Sequence, residues 1–155
     1  STGDLMVYLL DKSPEEQSFV HLVEGRLQLK AFEILPAKRL NEEKVTENNI
    51  ADFVYPNPAE WLRGFQDAKF VVTDSFHGTV FSILFNRPFI AIANKSRGTT
   101  RFTSLLRMFN LENRLIFSPE ELNLDKVKEI DWGNVNEILK QDKERAIFFL
   151  KRNLL

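Results

Sequence analysis

Cysteine is absent from the 155 residues of the chain, and histidine occurs only at His21 and His77. The lack of cysteine excludes disulfide bonds, thiolate catalysis and cysteine-ligated zinc, and it is compatible with the cytoplasm, where we expect the protein to be located. Two histidines are too few for a histidine-rich metal centre. The composition therefore predicts neither a metal site nor a cofactor.

The chain also lacks a strong charge of one sign and a long apolar run. It carries 21 basic and 22 acidic residues, for a net charge of −1, so no overall field attracts nucleic acid or an anionic membrane surface. No apolar run reaches the roughly 18 residues that a membrane-spanning helix requires. We therefore predict no nucleic-acid partner and no membrane span, and any anion site must be local.

The six glycines are scattered along the sequence. They form neither the glycine fingerprint of a dinucleotide-binding fold nor a phosphate-binding P-loop, which weakens a nicotinamide or ATP interpretation. The Gly-x-Ser-x-Gly motif of many serine hydrolases is absent as well.

The most informative segment is residues 69–93, KFVVTDSFHGTVFSILFNRPFIAIA. Its short apolar runs, Phe70 to Val72 and Phe89 to Ala93, are typical of strands buried in a parallel sheet. Between them, apolar residues recur at the spacing of a helix. The segment therefore predicts a strand, a polar turn, a helix and a second strand.

Similar patterns alternate along the rest of the chain. We predict further strands over Leu5 to Leu10, Leu27 to Leu35 and Leu115 to Phe117. We predict a first helix from Pro14 to about Glu24, ended by Gly25, a second that begins at Pro58, a third over Arg101 to Asn110 and a last one that begins at about Asn134. Pro36 to Asn49 is predicted to be a loop. The last helix is expected to have an apolar stripe that continues through Phe149 and Leu150. Together these elements predict a single α/β domain over residues 1–155, with a Rossmann-like three-layer fold and a mostly parallel sheet.

The polar turn at residues 74–79 is the first candidate site, because open α/β sheets bind ligands at the carboxyl ends of their strands. It contains Asp74, Ser75, His77, Gly78 and Thr79. Asp74 or Ser75 can cap the following helix, whose free amides favour an anion. Asp74 could instead orient His77 or act as a base, Ser75 and Thr79 could cap or bind a ligand, and His77 could be a buried structural residue.

Basic side chains follow the next predicted strand at Lys95, Arg97 and Arg101. Because this loop lies at the same edge of the sheet, its cations could hold a phosphate or carboxylate together with the first turn. The alternative is an ordinary solvated loop.

Three further side chains are expected to be structural. His21 lies in the middle of a predicted helix, where a structural or surface position is expected. Tyr55 and Trp61 are expected to be core or loop anchors, although either ring could stack on a saccharide if it is exposed.

The motif DSFHGT at residues 74–79, the run NRPFIAI at residues 86–92 and the segment RFTSLLRMFNL at residues 101–111 resemble the carboxyl-terminal half of the polysaccharide pyruvyl transferase family. The resemblance extends from about Leu5 to Phe117. Many members have an arginine and an aliphatic residue between the serine and the histidine, whereas this chain has Phe76 alone.

The resemblance implies one lobe of a two-lobed, GT-B-like enzyme that transfers a pyruvyl group from phosphoenolpyruvate to sugar hydroxyls of a bacterial surface polysaccharide. The histidine of the family motif is associated with the donor site, and His77 is the residue that matches it. From their positions in the two loops, we expect His77 and Asp74 to act in catalysis and Ser75, Gly78, Thr79, Lys95, Arg97 and Arg101 to bind substrate. An amino-terminal lobe would complete the cleft. Two alternatives remain: a GT-B glycosyltransferase that uses a nucleotide sugar, and a non-catalytic module that binds a glycan or a partner protein.

Overall fold

A computed structural model of the protein describes residues 3–11, 13–38, 43–93, 98–122 and 129–154. The strands are β1 (Leu5–Tyr8), β2 (Ala31–Glu33), β3 (Phe70–Thr73), β4 (Phe89–Ile92) and β5 (Leu115–Ile116). The α-helices are α1 (Pro14–Leu27), α2 (Pro58–Asp67), α3 (Phe76–Leu84), α4 (Thr100–Met108) and α5 (Trp132–Leu154). Short 3₁₀ helices cover Ile50–Phe53, Glu112–Arg114 and Pro119–Glu121.

All five strands are parallel and lie in the order β2-β1-β3-β4-β5. The chain moves outward from β1 to β2 and then returns to place β3 on the other side of β1. The chain therefore leaves the neighbouring strands β1 and β3 towards opposite faces of the sheet, and a crevice forms between the carboxyl ends of these two strands. The α/β class, the parallel sheet and the position of the polar turn after β3 confirm the predicted Rossmann-like fold.

Helices cover both faces of the sheet and give three layers. Because side chains alternate along a strand, Leu5 and Val7 of β1 face α1, where they pack in one core cluster with Phe19 and Val23. Met6 belongs to the second cluster, on the opposite face, which contains buried residues of α2, α3, α4 and the start of α5. The right-handed crossovers of a parallel sheet require this division between the faces.

Helix α1 begins at Pro14 as predicted, after a capping box, but ends later than predicted. The Ser13 hydroxyl accepts a hydrogen bond from Glu16 N, and the Glu16 carboxylate accepts one from Ser13 N, both at 3.1 Å. The predicted end at Gly25 is wrong, because the helix continues to Leu27 and ends where Gln28 adopts a φ of 53°. A glycine inside a helix costs only about 1 kcal/mol relative to alanine, which packing of α1 onto the sheet readily offsets.

The extension of α1 shortens the second strand. Strand β2 covers Ala31–Glu33 rather than the predicted Leu27 to Leu35. The Glu24 carboxylate accepts a hydrogen bond of 2.7 Å from Ala31 N and so joins the end of the helix to the start of the strand. After β2, the described residues 36–38 and 43–49 contain neither helix nor strand, as predicted, and residues 39–42 lie outside the described part.

Helix α5 packs on the sheet through its first turns only. Val135 is buried and Ile138 and Leu139 pack against the same cluster, but Phe149 is 64% exposed and Leu150 is 51% exposed. The prediction of a helix with an apolar face is therefore correct, but the expectation that this face packs along its whole length is wrong. Beyond Leu139 the apolar residues are exposed, because the helix extends past the sheet. In the described part of the chain, no helix combines the length and the apolar character needed to cross a membrane.

Candidate functional site

The polar turn lies between β3 and α3 at the carboxyl edge of the sheet. Ser75 is the N-cap residue of α3, and its hydroxyl accepts a hydrogen bond from Gly78 N at 3.4 Å. This confirms the predicted capping role for Ser75 rather than Asp74. Because Phe76 opens the helix, His77 falls in its first turn.

Asp74 joins this turn to the loop after β1. Its Oδ1 accepts a hydrogen bond of 2.6 Å from Leu10 N, and its Oδ2 accepts one of 2.9 Å from Asp11 N. The residue is only 3% exposed. The carboxylate therefore holds together the two loops that form the crevice, and its predicted part in catalysis stays a prediction.

Thr73 and Gly78 bring α3 close to the end of β3. The Thr73 hydroxyl donates to Tyr8 O at 2.8 Å and accepts from Ser75 N at 3.0 Å. A Cβ atom on Gly78 would lie 2.2 Å from Thr73 Oγ1, far inside van der Waals contact. Only glycine fits at this position, because the threonine hydroxyl occupies the space that a side chain would need.

Thr79 is also part of the internal support of the turn. It is fully buried, and its hydroxyl donates to Ser75 O at 3.1 Å. Ser75, Gly78 and Thr79 thus hold the backbone that presents His77. Direct contact of these three residues with a substrate stays a prediction.

His77 is exposed at the surface of the turn, which excludes the alternative of a buried structural histidine. Its ring meets the Phe76 ring edge to face, with centroids 6.0 Å apart and an interplanar angle of 77°. The other histidine, His21, lies on the exposed side of α1 and pairs with Glu24 at 3.1 Å, in agreement with its predicted surface position.

Arg101, the second residue of α4, reaches the same aromatic ring. Its guanidinium carbon lies 5.4 Å from the Phe76 centroid, a distance typical of a cation–π contact. Phe76 is held in turn by the buried Phe102, at 6.0 Å and 90°. Sequence reasoning missed this role of Phe76, which brings His77 and Arg101 together on one ring.

The structure does not describe the other two predicted cationic residues of the site. Lys95 and Arg97 lie outside the described residues. The described residues contain no group of three or more acidic or histidine side chains arranged to hold a metal ion.

Beside the polar turn is a cleft of about 520 Å³ at the carboxyl ends of β1 and β2. Its walls include the aromatic residues Tyr8, Tyr55 and Trp61 and the prolines Pro36, Pro56 and Pro58. Trp61 is partly buried against Tyr8, Phe65 and Phe81, as predicted for an anchor. Tyr55, in contrast, is 65% exposed.

Tyr8 is the central polar group of the cleft wall. Burial raises the pKa of its hydroxyl, the neighbouring Trp61 side chain opposes that shift, and the charge of Asp74 adds to it to a lesser degree. Sequence reasoning did not select Tyr8 as a site residue. The signal was available, since Tyr8 is the last residue of a strand that ends at the ligand-binding edge.

Residues 4–96 match the family model described as polysaccharide pyruvyl transferase, which is more than half of the chain. The chain belongs to this family. The matched segment contains the polar turn with His77, and it ends before Arg101. Comparisons with curated proteins and with solved structures gave no match.

The family is one of transferases, and it implies a donor and a saccharide acceptor. His77 is exposed and Arg101 has a guanidinium, and both side chains contact the Phe76 ring. Such a pair is suited to a reaction in which a proton moves while an anionic donor is held.

Proposed function

We propose that this domain is the donor-binding, carboxyl-terminal lobe of a cytoplasmic, GT-B-like pyruvyl transferase that acts in bacterial surface polysaccharide synthesis. The donor is phosphoenolpyruvate, and the product is a ketal that joins pyruvate to two sugar hydroxyls. The observation that carries the proposal is that His77 and Arg101 both contact the Phe76 ring, at the carboxyl edge of a sheet in a chain of this family.

The reaction requires a proton on the methylene carbon of the donor. His77 delivers this proton, which converts the methylene into a methyl group and leaves positive charge on the carbon that carries the phosphate. One sugar hydroxyl bonds to that carbon, phosphate leaves, and a second hydroxyl completes the ketal. Of the two hydroxyl protons released, one balances the proton used by His77 and the other leaves with phosphate.

The anionic groups of the donor need cations and backbone amides. Arg101 holds the phosphate in a forked pair, assisted by the amides at the start of α3 and by Lys95 and Arg97. Phe76 alone stands where many family members have an arginine and an aliphatic residue, and Arg101 brings a guanidinium over its ring from α4. Asp74 contributes negative charge near the cationic carbon while it keeps the two loops together.

In the complete protein, an amino-terminal lobe faces this domain and completes the interlobe space in which donor and acceptor meet. Two lobes that close over the donor exclude water, which would otherwise hydrolyse the cationic intermediate. The domain is therefore inactive by itself.

Calorimetric titration of the complete protein tests the donor. We expect binding of phosphoenolpyruvate and no binding of uridine or guanosine diphosphate sugars under the same conditions. The opposite pattern would identify a nucleotide-sugar glycosyltransferase and refute the proposal.

Replacing Arg101 with alanine should weaken phosphoenolpyruvate binding by about 1.5–3 kcal/mol, the usual contribution of a hydrogen-bonded ion pair. The difference from wild type should shrink as salt rises, because the free donor and the exposed Arg101 are screened by salt before the lobes close. Arg107→Ala is the matched control, since Arg107 is an exposed arginine in the last turn of the same helix. Equal donor affinity of Arg101→Ala and wild type at low salt would show that no such clamp exists.

A further inference from the structure

The cleft beside the polar turn has a shape and chemistry of its own, distinct from the His77 and Arg101 pair. We propose that it binds a pyranose ring of the saccharide acceptor, with Tyr55 as the stacking platform. This inference rests on the proposed function, and it assigns the acceptor to a particular surface of this domain.

The size and lining of the cleft fit a sugar ring. Its volume of about 520 Å³ lies within the usual range for small-molecule sites, which are mostly apolar with a few placed polar groups. The flat faces of a pyranose present C–H groups, which pack well on aromatic rings, while its hydroxyls reach polar groups at the rim. Tyrosine and tryptophan combine an apolar body with a polar tip and suit both needs.

The walls of the cleft are rigid, which favours binding because little conformational entropy is lost when a ligand enters. Pro36, Pro56 and Pro58 each fix one backbone dihedral on the cleft side. Trp61 is held edge to face by Tyr8 at 5.5 Å and by Phe65 at 5.1 Å. These groups are therefore already ordered before a ligand enters.

The lining of the cleft suits a neutral ligand. The described lining residues carry no charged side chain, which favours a sugar over a nucleotide phosphate or a free anion. The polar side chains of the lining, Tyr8, Tyr55 and Trp61, are uncharged hydrogen-bonding groups. A tyrosine hydroxyl can both donate and accept a hydrogen bond, and an indole N–H can donate one, so these groups can pair with sugar hydroxyls.

The position of the cleft connects it to the proposed reaction. Leu10 lines the cleft, and its backbone N–H donates to Asp74 in the turn that carries His77. A sugar in the cleft therefore lies next to the loop pair that supports the donor site. The exposed ring of Tyr55, at 65%, forms the outer wall where a ligand would cover it.

Fluorescence of Trp61 tests the proposal in the complete protein. Trp132→Phe removes the other tryptophan of this domain, and any tryptophan elsewhere in the protein is replaced in the same way. The probes are methyl β-galactoside, methyl β-glucoside and chitobiose, with uridine and guanosine monophosphate as nucleobase probes. We expect at least one saccharide, and neither nucleotide, to change the Trp61 emission in a saturable manner.

Variants at Tyr55 test the stacking. Tyr55→Ala should weaken saccharide binding about three- to tenfold, because an aromatic platform adds roughly that much beyond simple burial. Tyr55→Phe keeps the ring and should bind almost as well as the parent. Val54→Ala is the matched control, since Val54 is the neighbouring residue and is 63% exposed. All variants should keep the far-UV circular dichroism of the parent protein.

The outcomes separate this inference from the proposed donor chemistry. Tyr55→Ala should leave phosphoenolpyruvate affinity unchanged and raise the KM for the acceptor with little effect on kcat. Donor binding without any saccharide response, or a saccharide response that Tyr55→Ala leaves intact, would overturn the inference alone. Saturable binding of a nucleotide in the cleft would overturn it as well. Saccharide binding in a protein that does not bind phosphoenolpyruvate would instead contradict the proposed function.

Discussion

Replacing His77 with alanine or glutamine should lower the rate of pyruvyl transfer by about 10²–10⁴-fold, the usual contribution of a positioned general acid. His77 is exposed in the first turn of α3 and contacts the Phe76 ring, which Arg101 also contacts. A proton on its imidazole can therefore reach a donor bound at this surface. The measurement is ketal formation by the complete protein with a sugar acceptor. Glutamine keeps a hydrogen-bonding group of similar size but cannot deliver a proton at this rate.

His21→Ala is the matched control for this experiment. His21 is also exposed, but it lies on α1, where it pairs with Glu24, and its removal should leave the transfer rate within about twofold of wild type. Phosphoenolpyruvate should still bind to the His77 variants, because Arg101 and the helix amides remain. If His77→Ala transfers pyruvate at the wild-type rate, His77 is not the acid, and the non-catalytic interpretation of the domain gains support.

Replacing Asp74 with alanine should lower the free energy of unfolding by about 3 kcal/mol or more. The substitution removes both acceptors for Leu10 N and Asp11 N, and hydrogen bonds to charged groups contribute about 1.5–3 kcal/mol each. Asp74→Asn keeps one acceptor oxygen and should give a smaller loss. Urea denaturation followed by circular dichroism measures these differences.

Asp67→Ala provides the comparison with a surface carboxylate. Asp67 ends α2 and pairs with Arg63 at 3.5 Å in a solvent-exposed geometry, which contributes only about 0–1 kcal/mol. A loss for Asp74→Ala no larger than that for Asp67→Ala would show that the link between the two loops contributes little to stability.

The sequence was sufficient for the fold class and for the position of the polar turn. The buried strands Phe70–Thr73 and Phe89–Ile92 depend on neighbouring residues, so local patterns predict them well. The same patterns left the cap of α3 open between Asp74 and Ser75. The end of α1 was missed because Gly25 is a weak local signal, which the packing of the helix overrides. The exposed end of α5 was missed because periodicity shows which residues share a helix face, and does not show where the sheet beneath that face ends.

The contacts that define the site were harder to predict because they join distant parts of the chain. The aromatic cleft draws Tyr8 from β1, Tyr55 from the loop before α2 and Trp61 from α2 itself. Phe76 meets Arg101 only because α3 and α4 lie side by side on one face of the sheet. No local pattern in the sequence encodes either arrangement.

The link between Leu10 and Asp74 also has a consequence for how the protein folds. The two residues are 64 positions apart, and β1 lies beside β3 although β2 and α2 come between them in the chain. Closing so long a loop is slow and entropically unfavourable until the sheet is nearly complete. The amide hydrogens of Leu10 and Asp11 should therefore gain protection from deuterium exchange late in refolding, and a ribosome-bound nascent chain should acquire the crevice between β1 and β3 only after β3 has emerged.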